Sequence, residues 1–268
     1  MASSLATTVR DFCARSGLKL NTNLGQHFLI DERVLEQILE AAKIEREDTV
    51  VEIGAGMGIL TRELLKHAKR VIAIEIDQRW ERLMYSYTGP SPHLELIHGN
   101  ALRVPFPDEP YLVVANIPYH ITSPLLRHAF LEAPRRPRSL TLLIQREVAE
   151  KICDSEGGIL SITVKLFGTP RIITRVPPGA FLPPPKVDSA VLHIDCMQDP
   201  IANAETTEKI LQLLKLAFGQ KRKMLSNSIG KMPGGMEKLA AAQIDPTRRP
   251  QTVGVEEWVK LARECMSL

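Results

Sequence analysis

The sequence predicts an α/β protein: a mostly parallel sheet covered by helices, followed by a small helical domain. Three observations carry this. Short apolar runs alternate with helical stretches from Thr49 to Ile144, the pattern of successive βαβ units. Those runs are nearly continuous in apolar residues, as in strands buried on both faces. After about Asp199 the strand pattern stops and only short helical patterns remain.

Residues 1–22 show no long apolar pattern and are read as a partly ordered arm. The segment 23–29 reads as a loop. Asp31 is placed to cap a helix with the apolar face Val34, Leu35, Ile38, Leu39 and Ala42. Strands are predicted over 49–53, 70–76, 94–97, 111–115 and 140–144, and helices over 60–67, 79–85 and 124–131. Residues 159–167 fit either state, β-branched like a strand but long enough for a helix. Residues 171–176 and 187–194 predict an antiparallel hairpin at a sheet edge, joined through the proline-rich turn Phe181–Lys186. Helices are predicted over 209–218, 221–229, 236–242 and 255–263. The expected division is an arm over 1–22, an α/β domain over 23–198 and a helical domain over 199–268, with the break at 197–203.

At 268 residues, 44% hydrophobic and 24% charged, the composition is that of a globular protein with a sizeable core. The four cysteines lie far apart with no Cys-x-x-Cys pair, which excludes the usual zinc and disulfide frameworks and fits a reducing compartment. No apolar run approaches membrane-spanning length, and Met1 to Arg10 lack the apolar core of a secretory signal. A cytoplasmic monomer without a metal is expected, its cysteines buried or inert. The net charge of +3 is too small to identify a polyanionic partner. Clusters at Arg135, Arg136 and Arg138, at Lys221, Arg222 and Lys223, and at Arg248 and Arg249 are candidates to neutralise phosphates, or a solvated basic surface.

The first informative motif is Val50-Val51-Glu52-Ile53-Gly54-Ala55-Gly56-Met57-Gly58, a strand entering a glycine-rich turn at a helix start. Glycines there permit positive φ and the close approach of a ligand. A dinucleotide fingerprint would need its third glycine at position 59, which is Ile59. The compressed form led by Glu52 resembles the first motif of methyltransferases. Glu75, at the tip of the second strand, can accept hydrogen bonds from both hydroxyls of a ribose, which supports an adenosine-containing ligand without naming it. Asp77 suits a helix cap. Asn100, at the third strand's tip, can bond an adenine edge or simply make a turn.

The most specific motif ends the fourth strand: Asn116-Ile117-Pro118-Tyr119. An exocyclic adenine amine is a poor nucleophile because its lone pair is delocalised into the ring. Two acceptors for its N–H bonds, the Asn116 side-chain oxygen and the Ile117 carbonyl, can draw the nitrogen towards a tetrahedral shape. Pro118 stiffens the turn that aims them, and Tyr119 offers a face for a purine. With a sulfonium methyl donor no metal or strong base is required, and positioning and electrostatics supply most of the rate.

With these motifs the chain resembles the rRNA adenine N6,N6-dimethyltransferase family from about Leu24 to Leu268. The resemblance is strongest in Leu24-Gly25-Gln26-His27-Phe28-Leu29, Glu52–Gly56, Asn116–Tyr119 and Phe181-Leu182-Pro183-Pro184-Pro185-Lys186-Val187-Asp188-Ser189. It implies a Rossmann-like methyltransferase domain using S-adenosylmethionine, an antiparallel strand near its edge, a small helical domain, and a helix at 159–167. It also implies that His27, Leu29, Gly54, Gly56, Glu75, Asn100 and Asn116 hold the cofactor. Phe181 would pack against the target adenine opposite Tyr119. Asn100 departs from the family's usual Asp, which implies at most weaker cofactor binding; at His27 the family has Asn or His. The 183–189 segment and full helical domain resemble the branch that dimethylates two adjacent adenosines near the 3′ end of small-subunit rRNA, rather than the macrolide-resistance branch. The expected partner is therefore the small-subunit rRNA or its precursor particle, in a role in small-subunit biogenesis. Two competing readings are a nicotinamide-dependent oxidoreductase, which leaves Asn116–Tyr119 unexplained, and an rRNA-binding assembly factor. His120, His128 and His193 are read as structural, and Trp80 and Trp258 as packing residues.

Overall fold

The computed structural model describes residues 4–17, 26–154, 156–220 and 222–267. They form two units, the first built from the chain up to Ala149 plus Arg171–Cys196, the second from Glu150–Pro170 plus Met197 onward. Glu150–Pro170 was expected in the α/β domain. It groups instead with the C-terminal helices, because its helix packs on two of them.

The first unit opens with helix α1 (Leu5–Ser16), within the segment expected to be a partly ordered arm. Its apolar stripe is only three residues long, Leu5, Val9 and Phe12, but all are buried. Ser4 caps its start through Thr7 N and Gly17 ends it in the left-handed conformation. Residues 18–25, which include Leu24 and Gly25, lie outside the described residues. Strand β1 (Phe28–Leu29) follows, then α2 (Glu32–Ala42), whose N-cap Asp31 accepts from Arg33 N and Val34 N as its sequence predicts.

The βαβ series is β2 (Thr49–Ile53), α3 (Ile59–Leu64), β3 (Arg70–Glu75), α4 (Arg79–Thr88), β4 (Leu94–His98), β5 (Tyr111–Asn116), α5 (Thr122–Arg127) and β6 (Ser139–Gln145). α5 continues as a π turn over His128–Glu132. Helix α6 (Arg146–Cys153) leaves β6 directly. The second unit's first helix, α7 (Ile159–Phe167), settles the ambiguous stretch. The chain returns through β7 (Gly168–Val176), β8 (Phe181–Leu182) and β9 (Ser189–Cys196).

The main sheet has the order β4-β3-β2-β5-β6-β9-β7. Pairs β2–β3, β2–β5, β3–β4 and β5–β6 are parallel, and β9 runs antiparallel to β6. Every residue of β2 is buried, as are all but the last of β5 and β6, which is why these strands read as unbroken apolar runs. The edge strands β4 and β7 are only partly covered. β7 and β9 are neighbours at the expected edge, but their connection is more than a turn: β8 leaves it to pair antiparallel with β1, Phe28 opposite Leu182 and Leu29 opposite Phe181.

In the second unit, α7 is followed by α8 (Ala204–Phe218), α9 (Gly235–Ala241) and α10 (Val255–Met266). Asn203 caps α8 through Thr206 N at 2.8 Å. Buried Ile210, Leu214, Leu225, Ile229, Leu239, Trp258 and Leu261 make its core. The helix expected over 221–229 is two short 3-10 turns, Leu225–Asn227 and Ile229–Lys231. Leu225 N and Ser226 N donate to the carbonyls of Arg248 and Pro246, so they are unavailable to an α-helical ladder. Lys221 itself lies outside the described residues.

Candidate active site

The carboxyl ends of β2, β3 and β5 open into one cleft, the usual ligand position in an open parallel sheet. Its wall includes His27, Gly54, Gly56, Glu75, Asn100, Asn116 and Pro118, so seven of the residues singled out in the sequence converge there.

The floor is the turn after β2. Gly54, Gly56 and Gly58 all have positive φ, 73°, 55° and 91°. A Cβ on Gly56 would stand 2.8 Å from Phe28 Cε1, and one on Gly58 would meet Thr88 Cγ2 at 2.7 Å and Met84 Cγ at 2.8 Å. Only glycine combines these positive φ angles with such close packing of the turn against Phe28, Met84 and Thr88. Glu75 fastens the turn: its Oε2 accepts from Gly56 N at 2.8 Å and its Oε1 from Asp77 N at 2.9 Å. Ile76 N–H also bonds this carboxylate, so of its roughly four acceptor sites one is left for a ribose hydroxyl. Burial raises its pKa.

Glu52, beneath the same turn, is fully buried, and its Oε2 meets no hydrogen-bond partner. Burial pushes its pKa to about 8, against hydrogen bonding to Thr61. Asp77 behaves as the sequence suggests, accepting from Arg79 N at 3.2 Å. It also takes the Arg79 guanidinium, which pulls its pKa down to about 2, and holds Gln26 Nε2 at 3.0 Å.

The Asn116 side chain is oriented by its neighbour. Its Nδ2 donates to the His27 carbonyl at 3.0 Å. A carbonyl can only accept, so the amide must offer it the nitrogen, and Oδ1 is left as an acceptor. His27 is fixed in turn: Nδ1 lies 2.7 Å from the Pro183 carbonyl and must carry the proton there. Asn100 Oδ1 already accepts from Leu102 N at 3.0 Å, closing a turn as well as facing the cleft.

Tyr119 is half-buried beside Pro118, at the start of a 3-10 turn over Tyr119–Ile121. Its ring lies nearly parallel to that of His27, at 11° with centroids 6.3 Å apart. Ile117 is 2% exposed, its side chain in the core. Leu29 and Phe181 stand apart from the cleft wall. They face each other across the β1–β8 ladder, 4% and 2% exposed, inside the core. Side chains alternate along a strand, so Phe28 turns to the cleft and Leu29 away from it.

Several residues of the cleft carry no clear signature in the sequence. Gln26, Ile76 and His120 line the cleft, and Trp80, correctly read as buried packing, also forms part of its wall against Phe28. His120 belongs to the cleft rather than to the framework; its place directly after Tyr119 was the available signal. His128 and His193 are structural but partnered: His128 with Glu132 and the Val104 carbonyl, His193 with Thr141 and Asp195. The four cysteines are free and half-buried, with burial pushing the Cys196 thiol to about 12. Among the described residues no cluster of three His, Cys, Asp or Glu side chains could hold a metal, and no helix is long and apolar enough to cross a membrane.

Known proteins resemble this chain over most of its length. The model of the family described as ribosomal RNA adenine dimethylase matches residues 17–266. A ribosomal RNA small subunit methyltransferase A of Dehalococcoides mccartyi is 40% identical, covering 98% of this chain and 94% of that protein. One from Clostridium botulinum is 39% identical over 91% of this chain and 93% of its own length. Among solved structures, a dimethyladenosine transferase from Plasmodium falciparum matches with a TM-score of 0.75 at 29% identity, covering 88% of this chain and 96% of that one. The 23S rRNA methyltransferase ErmE matches with a TM-score of 0.74 at 27% identity, covering 88% and 98%. A Rossmann-like methyltransferase fold, a glycine-floored cleft and an Asn-Ile-Pro-Tyr turn thus coincide with a family match over nearly the whole length, and the chain belongs to the ribosomal RNA adenine dimethylase family.

Proposed function

We propose that this protein transfers methyl groups from S-adenosylmethionine to the N6 amines of two adjacent adenosines near the 3′ end of small-subunit rRNA, during assembly of that subunit in the cytoplasm. The observation that carries the reading is the orientation of Asn116, whose amide nitrogen is committed to His27 and whose oxygen is left to accept.

The cleft fits the cofactor. Gly54 and Gly56 line it without side chains, and Glu75 keeps acceptor capacity for a ribose hydroxyl. When bound, S-adenosylmethionine supplies a methyl group already activated on a sulfonium sulfur. Gly54 and Gly56 would admit it, Glu75 would hold the ribose, Asn100 would meet the adenine edge, and His27 with Asn116 would border the methionine end. Leu29 and Phe181 support this wall from the core.

The target adenine enters beside Pro118 and stacks on Tyr119. Asn116 Oδ1 and the Ile117 carbonyl accept its two N–H bonds, which localises the nitrogen lone pair towards the methyl donor. The proton released with each transfer passes to water at the open rim, where His120 stands. A base reaches such a site only when unstacked, as in a single-stranded loop. Exposed Arg222, Lys223 and Arg249 are available for phosphates, whereas Arg138 and Arg248 are engaged with Asp48 and Glu257. We assign the protein as a monomer.

The test is mass spectrometry of rRNA from a strain lacking the gene, with and without complementation. Loss and return of N6,N6-dimethyladenosine in small-subunit rRNA supports the reading. Unchanged small-subunit rRNA, or a change confined to the large subunit, refutes it.

A further inference from the structure

The Tyr119 ring is held from a part of the chain 70 residues away. Its phenol oxygen lies 2.6 Å from Ser189 Oγ. Ser189 is fully buried at the first position of β9. Its backbone is fixed by the β6–β9 ladder, where it faces Gln145. The residue before it is fixed too: Arg146 N donates to the Asp188 carbonyl at 3.0 Å, and the Arg146 guanidinium pairs with the Asp188 carboxylate at 2.6 Å. The Ser189 hydroxyl is therefore a rigid anchor rather than a mobile partner.

A phenol bonded at its para oxygen cannot swing about its Cα–Cβ bond without breaking that contact. The anchor fixes the position and long axis of the ring, and the ring lies at 11° to that of His27. β6, which carries the anchor's ladder, also pairs with β5, with Asn116 opposite Leu143. The acceptor on Asn116 and the ring face of Tyr119 are thus referred to one rigid frame, the first through β5 and the second through β9.

We propose that Ser189 is a positioning residue for methyl transfer. Through Tyr119 it fixes the place of the ring on which the target adenine stacks, so that the N6 amine meets Asn116 Oδ1 and not the space beside it. The inference rests on the function proposed above. It predicts a specific pattern: loss of the anchor leaves cofactor binding intact and slows the transfer step, because misorientation acts on the reacting geometry.

The experiment compares wild type, Ser189→Ala, Tyr119→Phe and the double variant in methylation of unmethylated small ribosomal subunits, with S-adenosylmethionine affinity measured by calorimetry. Ser189→Ala is expected to lower kcat about 10-fold while cofactor affinity changes less than about two-fold. Tyr119→Phe keeps the ring and loses the anchor, so a similar loss is expected, and the double variant should be no slower than either single one. Ser189→Thr, which keeps a hydroxyl, should recover most of the rate. Wild-type kcat in Ser189→Ala overturns the inference. So does a Ser189→Ala loss of equal size in the Tyr119→Phe background, which would show that it acts by loosening the fold. If Ser189→Ala is insoluble, Tyr119→Phe decides, since undiminished turnover there removes any role for the anchor. Absence of dimethyladenosine from the wild-type reaction overturns the proposed function itself and is distinct from all these outcomes.

Discussion

Removing the charge of Glu52 should stabilise the protein, and only at higher pH. The carboxyl is 2% exposed, one oxygen has no partner, and its pKa is pushed from 4.5 to about 8. The sign follows from linkage. In the unfolded chain the carboxyl ionises near its ordinary value, while in the folded chain it keeps its proton up to about 8. Between those limits the folded state binds more protons, so stability falls as pH rises and the contribution is fully lost above the folded value. At about 1.4 kcal/mol for each pH unit between the two values, the whole effect is on the order of 5 kcal/mol. Glu52→Gln has nearly the same shape as the protonated acid and cannot ionise. Urea unfolding of wild type and Glu52→Gln at pH 5, 7 and 9 isolates this group, because the other titrations are common to both proteins. The two should be nearly equal at pH 5 and differ by several kcal/mol at pH 9, with the variant more stable. A difference independent of pH, or a variant less stable at pH 9, would refute the argument.

Three further outcomes follow from the site. Asn116→Ala should keep rRNA binding and lose roughly 100- to 1,000-fold in kcat, the usual effect of removing one preorganised polar group at a reacting centre, measured by single-turnover methyl transfer. Asn100→Asp should tighten S-adenosylmethionine binding several-fold in calorimetry, since an ionised acceptor makes a stronger hydrogen bond and attracts a cation. Gly58→Ala should lose about 2–3 kcal/mol in denaturant unfolding, because the new Cβ combines a φ of 91° with contacts of 2.7 and 2.8 Å.

The parallel sheet was legible because its strands are buried on both faces and leave an unbroken apolar signature, as in Thr49–Ile53. Glu75, Asn100 and Asn116 were legible because a strand's carboxyl end is where such a fold binds ligands, and polar residues stand out there. The pairing of β1 with β8 was not, since it joins two-residue strands more than 150 positions apart. That pairing decides which way Leu29 and Phe181 point, and so takes both off the cleft wall. The hydroxyl of Ser189 is equally silent in sequence: a serine starting a strand gives no sign of a tyrosine 70 residues earlier. Helix α1 escaped notice because its stripe is three residues long and is completed by capping and by Glu32, which accepts from Leu5 N at 2.9 Å.

In the proposed reaction one cleft holds the methyl donor and the acceptor amine side by side. A crystal structure with S-adenosylhomocysteine and an adenosine-containing RNA loop tests it most directly. The cofactor's ribose should lie on Glu75 and the target N6 within hydrogen-bonding distance of Asn116 Oδ1. A cofactor bound elsewhere, or an adenine whose amine points away from Asn116, would contradict it.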